Sequence, residues 1–420
     1  MISVLQNTWA LMIGMLLLML GNGLQGTLLG VRGALENMDA NWLGLIMSAY
    51  FIGFLGGSRI APLMLKRVGH VRVFAALGSL ASAAFILYAA FVDPVIWLIL
   101  RLVVGFCFSG IYVVAESWLN DSADNETRGK ALSLYLIVQM AGIVLGQLLL
   151  NVADPAGYGL FVMISVLVSI SFAPILLSTR PAPVFETTRP MSLRELTSTS
   201  PLACFGTFVL GGIFSALFAM APVYATRIDL TIGQISLFLT MIYLGGMICQ
   251  YPIGWLSDRM DRRLLIIIVT GLGCVVSMAG FFTTNLNALY VLVFCLGGLS
   301  NPLYSLLIAY ANDYLEQDQM PAASGGLLFI NGVGAMSGPA IVGALMNAYG
   351  SEYFFVFTSA LMLIICAYGT YRTSVRQSTS VDDAAPYMPI TSRSTQIAAE
   401  IAIDAIDEEA NDEDSQSQSQ

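Results

Sequence analysis

Twelve stretches of the chain are each about 20 apolar residues long, and this constrains the fold before any motif is considered. A helix needs about that length to cross a bilayer, where no backbone polar group can be left unpaired. The stretches run over roughly 8–30, 41–64, 73–92, 95–119, 130–153, 158–178, 202–225, 234–256, 264–283, 287–311, 323–347 and 353–371. Of the 420 residues, 57% are hydrophobic and 11% charged. A soluble globule carries about 25% charged residues to cover its surface, so that class is excluded. Met1 to Val4 bear no positive charge and no small-residue cleavage site follows, so the first stretch reads as a span rather than a signal peptide. The expected fold is an all-α membrane protein with twelve transmembrane helices.

Lys and Arg set the orientation of such a bundle. With the N-terminus inside, fourteen basic residues fall on the inner side and two, Arg32 and Arg227, on the outer side. Both termini are therefore expected in the cytosol of a multi-pass protein of the plasma membrane, the inner membrane if the cell is bacterial. The net charge of −9 resides in the residues from Gln377 to the end, where ten acids face one base, Arg393. The body is neutral, which gives no reason to expect a nucleic-acid partner. The tail, 374–420, reads as a disordered acidic cytosolic segment, although Ile397, Ile401 and Ile406 are spaced as a short helical stripe. Six cysteines standing singly in apolar runs and one histidine, His70, supply no metal set, and no cofactor is expected.

A fixed offset divides the chain. Gly105, Tyr112, the pair Asn120-Asp121, Gly142 and Gly146 lie 192 residues before Gly297, Tyr304, Asn312-Asp313, Gly334 and Gly338. One gap-free offset at matching places in the topology indicates duplicated halves. Both halves begin on the same side, so they are parallel repeats about an axis along the membrane normal, with a substrate site near the midplane between them. The divisions are 1–178 for the first six-helix half, 179–200 for a cytosolic linker, 201–373 for the second half and 374–420 for the tail. The expected architecture is two pseudo-symmetric six-helix bundles around a central cavity.

The run Gly254-Trp255-Leu256-Ser257-Asp258-Arg259-Met260-Asp261-Arg262-Arg263 resembles the loop motif of the major facilitator superfamily of secondary transporters. Asp261 stands where a Gly is usual. In the first-half copy Lys66 replaces the acid, while Arg67 and Gly69 remain. Arg101 with Gly105 resembles the family's R-x-x-x-G in span 4. Gly142-x-x-x-Gly146 is similar to its antiporter motif, with Gln147 in place of the Pro, and the Gly-Pro step is found instead at Gly338-Pro339. The run Ala115-Glu116-Ser117-Trp118-Leu119 resembles a bacterial branch. The resemblance covers about residues 5–373 and implies transport by alternating access.

Charges inside spans each need a reason, because an Arg at a helix centre costs about 2.5–3.5 kcal/mol on insertion scales. Arg101 lies about six residues below the outer end of span 4, roughly 9 Å deep at 1.5 Å per residue. Gln25 and Asn22 lie at similar depth on one face of span 1 and can hold it, either for substrate contact or for structure. Glu116, the only carboxylate in any span, shares its depth with Arg59. The two are expected either as an ion pair or, if apart, with Glu116 as a proton-coupling acid. Tyr112, Gln139, Tyr243, Gln250, Asn301, Tyr304 and Asn331 are midplane polar candidates for the cavity. A cytosolic gate is expected from Lys66, Arg67, Asp121, Glu126 and Arg128 in one half and Asp258, Arg259, Arg262, Arg263 and Asp313 in the other.

These groups suit a small neutral or anionic solute, with protons as the candidate coupling ion and the lipid bilayer as the other partner. A monomer is expected. No nucleotide loop or catalytic triad is present, so the chain reads as no enzyme. A membrane sensor that signals through its acidic tail is the alternative to a transporter.

Overall fold

The computed structural model describes residues 2–122, 125–176, 191–316, 319–375, 387, 397–398 and 401–402, and among them all regular structure is helical. The principal helices are α1 (Ile2–Leu35), α2 (Ala40–Val68), α3 (His70–Ala90), α4 (Pro94–Ser122), α5 (Asn125–Leu148) and α6 (Gly159–Ser171) in the first part of the chain. The second part holds α7 (Pro201–Arg227), α8 (Ile232–Ser257), α9 (Arg262–Phe282), α10 (Leu286–Asn312), α11 (Met320–Tyr349) and α12 (Tyr353–Val375). Among the described residues, eleven of these are long and apolar enough to cross a membrane. The exception is α6, which breaks at Phe172 and resumes as Ala173–Leu176, so the sixth expected span is built from two pieces.

Local chemistry sets the helix ends. Thr231 and Gln234 form a reciprocal capping box at the start of α8. The Asn285 side chain accepts from two backbone N–H groups to start α10, and Asp261 does the same for one at α9. Gly69, at φ +82°, lets α2 turn into α3 within one residue, a conformation that favours glycine. Large apolar side chains such as Ile99, Ile137, Val275 and Leu363 are exposed on the outer faces of α4, α5, α9 and α12, as lipid-facing surfaces require. The connections are short and the helices alternate in direction. The start of α1 and the end of α12 therefore share one end with Lys66, Arg67, Arg259, Arg262 and Arg263, here called the basic end.

The two parts repeat each other's packing at the 192-residue offset. Helix α2 lies along α4, and α8 along α10. A Cβ on Gly53 would fall 1.9 Å from the Leu102 carbonyl oxygen, and one on Gly245 would fall 1.9 Å from that of Phe294. On the facing helices, Gly105 approaches Tyr50 at 2.0 Å and Gly297 approaches Ile242 at 2.1 Å. Each of these four residue pairs is related by the same 192 positions. Backbones this close exclude any side chain, which is how small residues hold membrane helices together.

The two parts meet mainly at the end opposite the basic one. The Cβ positions of Gly44 and Gly343 approach the backbone oxygens of Pro339 and Ala40 at 2.4 and 2.3 Å, closing α2 on α11. Ser236 Oγ on α8 donates to the Gln147 carbonyl on α5 at 2.7 Å. Gly30 of α1 faces Pro222 of α7.

Some linker and tail residues depart from their expected loop or disorder. Leu193–Thr199, inside the proposed linker, is a short helix capped by Ser192, with Leu196 buried against Gly326 of α11. In the tail, Ala398, Ile401 and Ala402 are buried and Tyr387 packs on the bundle, whereas Ile406 lies outside the described residues. Composition averages over a segment, so it does not register a few apolar groups that find a surface.

Candidate functional site

The buried polar groups of α1 and α4 form one directed chain. Arg101, 4% exposed, donates from Nη1 to Gln25 Oε1. Gln25 Nε2 donates to Asn22 Oδ1 at 3.0 Å, Asn22 Nδ2 to Tyr112 Oη at 2.8 Å, and Tyr112 Oη to Met19 Sδ at 3.5 Å. Asn22 and Gln25 are three residues apart on α1 and so share a face. Each bond polarises the next, and in a low-dielectric interior such a chain is stiffer than isolated pairs.

The rest of the Arg101 environment is neutral. Its Nη2 lies 3.4 Å from Met47 Sδ, its guanidinium sits 4.7 Å from the Tyr50 ring centroid, and Nε is buried without a partner. Among the described residues no carboxylate pairs with it. Glu116 lies on the same helix, but fifteen residues away, roughly 22 Å at 1.5 Å per residue. The site therefore presents a desolvated positive charge for which no described residue supplies a counter-charge, held in a fixed direction by Gln25.

The Glu116 carboxylate is fully buried and accepts from Tyr135 Oη at 3.4 Å. Gln139 stands one turn further along α5 and is buried. The expected ion pair with Arg59 is not formed. Arg59 is exposed on α2, and its guanidinium lies 4.1 Å over the Phe329 ring of α11. Shared depth fixes position along the membrane normal but not the direction in which a helix presents a side chain. The two residues face different neighbours.

The remaining midplane candidates divide. Tyr243 stacks on Phe218 at 4.9 Å, and Phe218 lies in the π-helical turn Ala216–Met220 that interrupts α7. Such bulges are frequent at functional sites. Asn301 is half-buried beside Gly246, and Tyr304 is buried with its ring 6.4 Å from Phe214. Asn331 donates to the Thr207 carbonyl at 3.0 Å, a bond between α11 and α7. Gln250 donates to Ser305 Oγ at 3.1 Å.

At the basic end, the described partners of Arg262 lie in its own half. It pairs with Asp313, reaches Asp258 at 3.3 Å, and donates to Ser257 Oγ and the Ala309 carbonyl. Arg263 bonds Tyr314 Oη and the Arg372 carbonyl, and Arg259 lies over Trp255. In the other half Lys66 and Arg67 are exposed, and the side chains of Asp121, Glu126 and Arg128 lie outside the described residues. His70 occupies the place 192 residues before Arg262 and bonds Ser117 at 2.8 Å.

Sequence reasoning did not single out Met47 and Tyr50, the neutral walls around Arg101. It also passed over the role of Gln147, which is fully buried, accepts from Thr27 Oγ1 at 2.7 Å and donates to the Gly23 carbonyl at 2.8 Å. The signal for Gln147 was present, because it replaces a Pro in the motif. A Pro carries no side-chain donor, so the change adds a clamp between α5 and α1.

The sequence pattern described as Major Facilitator Superfamily matches residues 11–231 and 203–395. An uncharacterized MFS-type transporter, YcaD of Escherichia fergusonii, is 25% identical, over 84% of this chain and 92% of its own length. An uncharacterized MFS-type transporter of Enterobacter sp. (strain 638) is 26% identical, over 84% of this chain and 92% of its own. Among solved structures, the nucleoside transporter NupG superposes with a TM-score of 0.72 at 12% identity, covering 88% of this chain and 100% of its own. A bacterial homolog of the human lysosomal transporter Spinster, inward-facing and unoccupied, gives 0.74 at 14% identity, covering 89% and 98%. These structural likenesses concern the fold.

Proposed function

Because the chain belongs to the Major Facilitator Superfamily, we propose that it moves a small solute across the membrane by alternating access, its two halves rocking about a site that Arg101 anchors. In this reading the chain divides into a first half at 1–178, a linker at 179–200, a second half at 201–373 and a tail at 374–420. The observation that carries this reading is the buried Arg101 guanidinium, whose partners among the described residues are neutral, aimed by Gln25 and backed by Asn22 and Tyr112. A buried cation without a counter-charge is costly, and an anionic or strongly hydrogen-bond-accepting group on the substrate offsets that cost. The solute class is therefore small and anionic, or neutral with a carbonyl-like acceptor. Glu116, apart from Arg59, is the candidate for proton coupling, with Tyr135 as its hydrogen-bond partner. The basic end faces the cytosol of a bacterial-type inner membrane under the positive-inside rule.

A thermal-shift screen of small anions and neutral polar solutes on the purified chain tests this reading. A ligand at 100 times its Kd stabilises the folded state by about 2.7 kcal/mol. At least one solute is expected to raise the Tm of the native chain and to leave the Tm of Arg101→Gln unchanged. Solutes that stabilise both chains equally would remove Arg101 from the site.

A further inference from the structure

The acidic tail carries one residue fastened at both ends to the helices of the second half. Tyr387 donates its backbone N–H to Asp258 Oδ1 at 2.9 Å, and its hydroxyl accepts from Gln250 Nε2 at 2.9 Å. Gln250 also bonds Ser305 of α10, so the hydroxyl is held where α8 and α10 face each other. Between these anchors the ring fills a notch at Gly254, where a Cβ would lie 2.6 Å from the ring. Gln250, Gly254 and Asp258 are spaced four apart, one under another along one face of α8 and its capping residue. A chain of about a dozen residues links the end of α12 to Tyr387, and such a chain spans up to about 40 Å. Further along, Ala398, Ile401 and Ala402 are buried in the same apolar cluster as the bundle.

We infer that the tail, docked through Tyr387 in the α8–α10 groove, is a built-in brake that keeps the basic end of the bundle from closing. Two features give it this effect. Helix α8 is one of the helices through which the halves meet, at Ser236 near the opposite end. Closing the basic end brings the Gln250–Asp258 stretch of α8 toward the first half, and Tyr387 occupies that stretch. The second feature is Asp258, which also reaches the buried Arg262, so that docking engages the charged cluster of the basic end directly. Charge favours the docked state as well, because the residues after Arg376 supply the whole net charge of −9 and the basic end carries most of the Lys and Arg. A segment that binds one of two states shifts the equilibrium toward that state by its differential affinity.

The inference rests on the alternating-access reading, and the test separates the two. Spin labels are placed at Arg72→Cys and Leu264→Cys, exposed equivalent positions at the starts of α3 and α9, in a chain whose native cysteines are replaced by serine. Distances are measured in the full chain, in Tyr387→Ala and in a chain ending at Arg376. Two populations are expected, with the shorter one enriched about fivefold in both altered chains. Two populations with equal weights in all three chains would overturn the brake and leave alternating access standing. A single population common to all three would overturn both. Enrichment on truncation alone would assign the effect to other parts of the tail and overturn the role of Tyr387.

Discussion

Arg101 on α4 donates to Gln25 on α1, joining two helices of the first half through a hydrogen bond between a buried cation and a neutral amide. Bonds to a charged group are worth about 1.5–3 kcal/mol. A double-mutant cycle between Arg101→Ala and Gln25→Ala, read from the unfolding free energies of the four proteins, is expected to return a coupling of that size. Arg101→Lys keeps the charge but not the planar fork that reaches both Gln25 and Met47, and should lose most of the coupling.

The glycine contacts give paired expectations. Gly53→Ala and Gly245→Ala each drive a methyl into a carbonyl oxygen. Overpacking of this kind costs about 1–3 kcal/mol or more. The two variants are expected to lower Tm alike, whereas Gly56→Ala, whose Cβ would meet nothing closer than 4.0 Å, should leave it unchanged.

This pairing was legible because duplication leaves a fixed offset in the sequence, and because twelve apolar stretches leave a chain few ways to meet a bilayer. The link from Arg101 to Gln25 was legible for a related reason: a charge in an apolar span must find a polar group at its own depth, and few exist. Arg59 and Glu116 satisfied the same depth rule and still do not pair. Depth is one coordinate, and the rotation of each helix about its axis is set by packing that no single helix encodes. Tyr387 was out of reach altogether, because the notch it fills is an absent side chain on a helix far away in sequence.

Glu116 and Arg59 should therefore behave independently. Glu116→Gln combined with Arg59→Gln is expected to give additive changes in unfolding free energy, within about 0.5 kcal/mol. Glu116→Gln with Tyr135→Phe should give a coupling of about 1 kcal/mol. A large coupling in the first cycle would mean that the two charges meet.

Among the described residues, the two acids that pair with Arg262 differ in burial. Its side chain is 3% exposed, with Asp313 at 5% and Asp258 at 43%. Asp313→Asn strips a buried cation of its buried partner and is expected to cost about 3–5 kcal/mol. Asp258→Asn removes a partner open to solvent and should cost about 0–1 kcal/mol. Thermal unfolding of the two variants side by side checks the ranking.

In the proposed mechanism, solute crosses the membrane at Arg101. This is tested most directly by uptake of a ligand from the thermal-shift screen into vesicles containing either the native protein or Arg101→Ala. Saturable uptake by the native protein is predicted, with a loss of about a hundredfold or more in Arg101→Ala at equal folded protein, as expected when a buried charge-to-substrate bond worth about 2.7 kcal/mol is removed. Saturable uptake that is unchanged in Arg101→Ala, or native uptake no faster than into protein-free vesicles, would contradict it.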